Sequence, residues 1–143
     1  MRAPPTAVWG FCVLVSVSTV ISADVDGVVN EVLYHPPDAI ATAEFIELHN
    51  RGADPVDLAG WKVAGGVSFT IPSGTVIAPD GFVLVVKELG LASWLYPGVR
   101  LVGSYSGSLS NSSDRIRLLN PQGVLIDEVE YSDDDGWPHE PDG

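Results

Sequence analysis

The chain has 143 residues, of which 45% are hydrophobic and 18% charged, which is the size and composition of one compact domain with a core. Its 15 glycines and 11 prolines favour many turns and few long helices. The formal net charge of −12 excludes nucleic-acid binding as a general property of the surface, because phosphates would be repelled. The single cysteine, Cys12, excludes both an intrachain disulfide and a cysteine zinc cluster.

The N-terminal residues 1–23 have the layout of a secretory signal peptide. A basic start with Arg2 is followed by an uncharged apolar run at 8–21 and by the small residues Ser22 and Ala23. This run of 14 residues is shorter than the roughly 20 that a membrane-spanning helix needs. We therefore expect cleavage near residue 23, no stable membrane span afterwards, and a secreted, extracellular or cell-surface protein.

From residue 24 onward the hydrophobic periodicity predicts β-strands. Apolar and polar residues alternate in most of the segments, which gives each strand one solvated face. The exception is 82–86, which is apolar on both faces and predicts either a central strand covered on both sides or a strand at a buried edge. Only 88–96 has helical spacing, over little more than two turns, and predicts a short lid over a sheet end. The clearest predicted strands are 46–49, 67–71, 82–86, 115–118 and 124–131.

Turn signals separate these segments at short intervals. Asn120-Pro121-Gln122-Gly123 has the proline and glycine of a type I turn closed by a left-handed glycine, and predicts a tight hairpin. In the bend at 57–61, Gly60 permits a backbone conformation that other residues resist, and Trp61 is predicted to fill the interior. About seven to nine short strands with such turns predict an all-β fold, an antiparallel sandwich or barrel.

Four stretches in sequence order resemble the lamin tail domain, the immunoglobulin-like module of nuclear lamins that also occurs in secreted bacterial proteins. They are VVNEVLYHPP at 28–37, EFIELHNRGADPVDLAGWKV at 44–63, FTIPSGTVIAPDGFVLVV at 69–86 and SGSLSNSSDRIRLLNPQGVLIDEVEY at 106–131. The resemblance implies an immunoglobulin-like sandwich at 24–143. It also implies a closing strand after the tryptophan-proline loop, and this strand is missing from the sequence. We therefore expect a domain truncated at its C-terminal end, in a longer protein or completed by another chain.

The sequence contains no constellation of reactive groups that would indicate an enzyme. The three histidines, His35, His49 and His139, lie in a proline loop, on a predicted exposed strand face and near the terminus. No nucleophile elbow, phosphate-binding loop, metalloprotease helix or dinucleotide fingerprint occurs. Ser110, Ser112 and Ser113 are interpreted as loop hydroxyls because no histidine base is placed beside them. We assign no catalytic, cofactor-binding or metal-binding residues and expect no cofactor.

One acidic cluster has the residue types that bind a hard cation. It comprises Asp133, Asp134 and Asp135, followed by Glu140 and Asp142. Calcium takes six to eight oxygens, but the spacing here is not that of an EF-hand loop. We interpret the cluster as a solvated acidic loop and leave calcium binding open.

The expected function is that of a non-catalytic exported interaction or scaffold module, accessory to a further domain. Its partner would be an extracellular or cell-surface protein or glycan. The alternative is a calcium- or carbohydrate-binding sandwich that uses the acidic cluster and an exposed aromatic such as Trp94 or Trp137. Asn111-Ser112-Ser113 matches a glycosylation sequon, which we treat as chance. The nuclear role of lamins is not transferred, because the coiled-coil rod is absent.

Overall fold

The computed structural model describes residues 11–14 and 27–132. These residues form twelve β-strands, one α-helix and a 3-10 turn at Asp38–Ile40. The elements are β1 (Phe11–Leu14), β2 (Gly27–His35), β3 (Phe45–Asn50), β4 (Val56–Asp57), β5 (Lys62–Ala64), β6 (Val67–Thr70), β7 (Val76–Ile77), β8 (Phe82–Val86), α1 (Leu89–Leu95), β9 (Leu101–Gly103), β10 (Ser106–Gly107), β11 (Ser113–Leu119) and β12 (Leu125–Ser132).

The strands build two five-stranded sheets and a small ribbon. The first sheet has the order β1-β2-β3-β8-β9 and the second the order β10-β6-β5-β11-β12, while β4 and β7 form the ribbon. All neighbours are antiparallel except β8 and β9, which run parallel. This is the expected all-β, immunoglobulin-like sandwich.

The hydrophobic core lies between the two sheets. Ile46 and Leu48 of β3 and Ile116 and Leu118 of β11 are each fully buried. These side chains alternate with polar neighbours because successive residues of a strand point to opposite faces. Trp61 is only 6% exposed and belongs to the same core, which confirms its prediction as an interior residue.

The structure has more strands than the seven to nine expected. The pairs β4–β7 and β6–β10 each include two-residue strands, which are too short to show any periodicity in the sequence. The parallel pair was also unexpected. It arises because α1 connects β8 to β9, and a helical crossover returns the chain in the same direction.

The short helix forms where the sequence predicts it and covers the outer face of the first sheet. Its N-terminus is capped by Glu88, whose carboxylate accepts hydrogen bonds from the N–H groups of Gly90 and Leu91. Ala92 is the buried residue of the helix, whereas Trp94 is 76% exposed. A second apolar cluster fills the space between α1 and the sheet. It contains Leu33, Phe45, Leu84, Val86 and Ala92.

The two predicted turns are present with the expected backbone. Gly123 has a φ of 80°, and its N–H donates to the carbonyl oxygen of Asn120 at 2.9 Å, which closes the β11–β12 hairpin. Gly60 has a φ of 76° in the bend before Trp61. Both values lie in the left-handed region that favours glycine.

Part of the segment interpreted as a leader pairs with the sandwich. Phe11–Leu14 runs antiparallel to β2 and forms one edge of the first sheet. The cleavage site, the acidic cluster, Trp137, His139 and the question of a closing strand lie outside the described residues. No helix in the described part of the chain has the length and apolar character that crossing a membrane requires.

Candidate functional site

The outer face of the first sheet has a part that α1 leaves open. This open face is formed by Glu31 of β2, Glu47 and His49 of β3, and Phe82 of β8. Glu47 and His49 point outward because their neighbours Ile46 and Leu48 point into the core. Phe82 is 43% exposed, so the face presents an aromatic ring as well as carboxylates.

Two carboxylates of the open face lie directly opposite each other. Glu31 and Glu47 are cross-strand partners, and Asn30 Nδ2 donates to Glu47 Oε1 at 2.8 Å. Burial, and then repulsion from Glu47, raises the pKa of Glu31. The pKa of the Tyr96 hydroxyl is also raised, by burial and then by the Glu31 charge. This pair can accept hydrogen bonds from hydroxyl or amine groups or hold a shared proton.

A stacked pair of rings lies beside the carboxylates. The ring centroids of His49 and Phe82 are 4.1 Å apart with an interplanar angle of 7°. His49 Nε2 lies 3.1 Å from Asp80 Oδ1, so the imidazole is held by its ring and by its nitrogen. The side chain of His49 is only 14% exposed, which is less than its predicted place on an exposed strand face suggests.

The outer face of the second sheet has a different character, because its opposite charges are paired. Arg115 Nη2 donates to Glu130 Oε2 at 2.7 Å, and Arg115 Nε lies 3.9 Å from Glu128 Oε1. The hydrogen bond to Glu130, followed by the charges of Glu130 and Glu128, raises the pKa of Arg115. These contacts satisfy the charges locally, so this face is a weaker candidate for a ligand site.

The candidate histidines are not brought together. His49 and His35 lie at opposite ends of the paired strands β2 and β3. His49 is opposite Val28 at one end, and His35 lies just beyond the pair Leu33–Phe45 at the other. His35 is exposed and its ring lies 6.5 Å from that of Tyr34. Within residues 11–14 and 27–132, no group of three or more histidine, cysteine, aspartate or glutamate side chains is arranged to hold a metal ion.

The serine-rich loop before β11 is fixed by its own side chains. Ser110 Oγ accepts from the N–H groups of Ser112 and Ser113 at 3.3 and 3.2 Å. Asp114 accepts from the N–H groups of Ser110 and Gly66. The hydroxyl of Ser110 is therefore engaged in holding the loop, as a side-chain turn does.

A buried carboxylate anchors the adjoining segment. Glu44 is 6% exposed and accepts from the Tyr105 hydroxyl at 2.9 Å, from Leu109 N–H at 3.0 Å and from Lys87 Nζ at 3.1 Å. Lys87 Nζ also donates to Ser108 Oγ. The carboxylate thus ties the loop before β11 to the first sheet.

Sequence reasoning missed the Glu31–Glu47 pair and the Glu44 anchor. The alternation in β3 places Glu47 on the polar face, but the opposing residue of β2 depends on a bulge between Val29 and Glu31. The partners of Glu44 lie far along the chain, so no local pattern indicates them. Trp94, which the ligand-binding alternative requires to be exposed, is exposed in the structure.

The comparisons with known proteins agree with the fold. The family model described as Lamin Tail Domain matches residues 22–133, which include the whole of the sandwich from β2 to β12. A search of curated proteins found no match. Because the family model covers most of the chain and the structure has the corresponding immunoglobulin-like sandwich, the chain belongs to the lamin tail domain family.

Proposed function

We propose that the chain is a non-catalytic interaction module of an exported protein, accessory to a further domain of that protein. The observation that carries this proposal is the lamin tail match over residues 22–133. The contacts of the polar side chains support it. Glu44, Ser110 and Asp114 bind backbone and side-chain groups of their own domain, which is the role of structural residues.

The open face is the surface we propose for the interaction. It combines the exposed ring of Phe82 with the carboxylates of Glu31 and Glu47, and Trp94 projects from α1, which packs on the same sheet. Aromatic side chains are enriched at the centres of interfaces because they bury a large area at a small entropic cost. Carboxylates around them favour a partner that offers cations or hydroxyl groups.

The experiment expresses the chain with its own leader in an exporting host and measures the mass of the secreted product. Cleavage near residue 23 is the expected result. The fluorescently labelled product is then titrated onto the producing cells, in comparison with the variant Phe82→Ser/Trp94→Ser. We expect the wild type to bind saturably and the double variant to bind at least about tenfold more weakly, as for the loss of aromatic interface anchors.

The matched control changes two exposed apolar residues on another surface. Val124 and Leu125, at the β11–β12 hairpin, are 51% and 42% exposed. Val124→Ser/Leu125→Ser should bind as the wild type does. An equal loss of cell binding in both double variants would contradict the open face as the binding surface. A chain that stays inside the cell with residues 1–23 still attached would contradict export.

Carbohydrate binding is the second candidate, and the exposure of Phe82, whose ring is held by stacking on His49, favours it. Sugar rings pack on exposed aromatic faces, while carboxylates such as those of Glu47 and Asp80 accept bonds from their hydroxyl groups. A glycan array probed with the wild type and with Phe82→Ser distinguishes the candidates. Glycan binding that depends on Phe82 would support this alternative, and its absence would leave a protein partner.

A further inference from the structure

The paired carboxylates of the open face lie between two sets of aromatic rings. Along β3, Phe45 precedes Glu47 by two residues and His49 follows it by two, so these side chains share one face. The ring of Tyr96, at the end of α1, packs edge-on against Phe45 with the centroids 5.6 Å apart. At the other end the rings of His49 and Phe82 are stacked. Aromatic rings therefore bound the carboxylates in both directions along the strand.

The two carboxylates repel each other without a cation between them. Neither Glu31 nor Glu47 forms an ion pair with a lysine or arginine in the described part of the chain. The group that donates to Glu47 is the neutral amide of Asn30. Burial, and then repulsion from Glu47, raises the pKa of Glu31. A cation placed between the two carboxylates would relieve this repulsion at a half-buried position.

The ring of Phe82 lies within reach of the same cation. One face of the ring is covered by His49, so its 43% exposure leaves the opposite face and the edge accessible. Phe82 comes two residues before Leu84, which is the cross-strand partner of Glu47. It is thus the diagonal neighbour of Glu47, at about 7–8 Å between Cα atoms. Cations bind over aromatic faces within about 6 Å of the ring centre, so one long side chain can contact both groups.

We propose that the open face binds an arginine side chain of the partner protein, with the guanidinium between Glu31 and Glu47 and its stem along the exposed ring of Phe82. This inference rests on the proposed interaction function and names the chemical group that the surface recognises. The guanidinium is planar, so its N–H donors can bind both carboxylates while its flat face stacks on a ring. The ammonium of lysine is a compact point charge that lacks this flat face.

The overall charge of the chain favours the same kind of partner but does not locate it. A net charge of −12 attracts basic proteins over a long range at low salt. The open face adds short-range contacts that only a correctly placed cation can make. The test must therefore separate the two carboxylates of the open face from the charge of the whole domain.

The experiment titrates the purified protein onto three fluorescent octapeptides, in which glycine alternates with arginine, lysine or glutamine, and measures anisotropy. We expect the arginine peptide to bind the wild type at least about tenfold more tightly than Glu31→Gln/Glu47→Gln, because two charged acceptors are lost. The lysine peptide should bind more weakly than the arginine peptide, and the glutamine peptide should not bind. Melting curves establish that the variant is folded.

The matched control is Glu128→Gln/Glu130→Gln, which makes the same change in net charge on the outer face of the second sheet. Its carboxylates contact Arg115 on the protein surface, where ion pairs contribute little to stability. This variant should bind the arginine peptide as the wild type does. Equal weakening in the two pair variants would show that only overall charge attracts the peptide, and would overturn the proposal. The proposal is also overturned if the arginine peptide does not bind, or if the lysine peptide binds as tightly.

Phe82→Ser tests the contribution of the ring. It should weaken the arginine peptide about threefold or more and the lysine peptide less, because a guanidinium stacks on a ring whereas an ammonium does not. Leu125→Ser, which changes an exposed apolar residue at the β11–β12 hairpin, should leave both affinities unchanged. Equal effects of Phe82→Ser on the two peptides would overturn the stacking of arginine on this ring.

Cell binding distinguishes this proposal from the interaction function on which it rests. Glu31→Gln/Glu47→Gln should bind the producing cells at least about tenfold more weakly than the wild type. If it binds as the wild type does while Phe82→Ser/Trp94→Ser does not, arginine recognition is overturned and the open face remains the interaction surface. If neither variant weakens cell binding, both proposals are overturned.

Discussion

The hydroxyl of Tyr105 donates a hydrogen bond of 2.9 Å to Oε2 of Glu44, a residue that lies 61 positions earlier in the chain. Burial, followed by the charge and the hydrogen bond of Glu44, raises the pKa of Tyr105 well above its usual value. Because the same carboxylate oxygen accepts from Leu109 N–H, one buried group holds two points of a loop against the first sheet.

Tyr105→Phe should destabilise the domain by about 2 kcal/mol, since it removes a buried hydrogen bond to a charged acceptor. Chemical denaturation monitored by tryptophan fluorescence measures this change. Tyr96→Phe is the control, because within residues 11–14 and 27–132 the Tyr96 hydroxyl makes no hydrogen bond; its loss should cost about 0.5 kcal/mol or less. Equal losses in the two variants would contradict the anchoring role of Glu44.

Asn50 is a second buried polar residue that joins separate parts of the fold. It is fully buried, and its Nδ2 donates to the carbonyl oxygens of Asp54 and Ile77 at 2.8 and 3.0 Å, while its Oδ1 accepts from Gly52 N–H. Asn50→Ala would remove the partner of all three backbone groups at a fully buried position, so we expect a loss of about 3 kcal/mol.

Asn120→Ala is the matched control for Asn50→Ala. Asn120 Oδ1 accepts from the N–H groups of Gln122 and Val124 in the same kind of local cap, but in a solvent-exposed turn. Water can replace these bonds, so the loss should be about 1 kcal/mol or less. Thermal unfolding of the two variants gives the comparison, and a larger loss for Asn120→Ala would contradict the argument from burial.

The difference between local and distant contacts explains how much of the fold the sequence could predict. The β11–β12 hairpin follows from Asn120-Pro121-Gln122-Gly123, because the turn and the two strands are contiguous. The helix follows from spacing at 88–96. The burial of Glu44 and the pairing of Glu31 with Glu47 could not be predicted, because each depends on residues that only the folded chain brings together.

Gly65 occupies a position where both conformation and space require glycine. Its φ is 136°, and a Cβ there would overlap with the carbonyl oxygen of Arg115 on the neighbouring strand. Gly65→Ala should therefore cost about 3 kcal/mol or more, because backbone must shift to relieve the overlap.

Gly98→Ala measures how much stability is lost through the left-handed backbone conformation alone, without the overlap that occurs at Gly65. Gly98 has a φ of 85°, but a Cβ there would meet no atom within 4 Å. Its loss should be about 1 kcal/mol, the penalty of the left-handed conformation alone. Urea unfolding compares the two variants, and equal midpoints would show that the Arg115 carbonyl does not restrict Gly65.

The Glu31–Glu47 pair should make the stability depend on pH. Burial and Glu47 raise the folded-state pKa of Glu31 above its ordinary value of 4.5, and burial raises that of Asp127 above 3.8. A raised folded pKa means that the folded state binds the proton more tightly than the unfolded state. The stabilisation is therefore complete below the ordinary values and is lost as the pH rises through the folded pKa values.

Glu31→Gln should remove the Glu31 part of this dependence. The amide carries no charge, so at pH 7 the variant should melt at a higher temperature than the wild type, and the difference should vanish near pH 4. Melting temperatures measured in dilute solution between pH 4 and 7 test this. Glu130→Gln, which removes an exposed carboxylate paired with Arg115, should show no gain at pH 7. A Glu31→Gln variant that melts below the wild type at pH 7 would show that Glu31 stabilises the fold as a carboxylate.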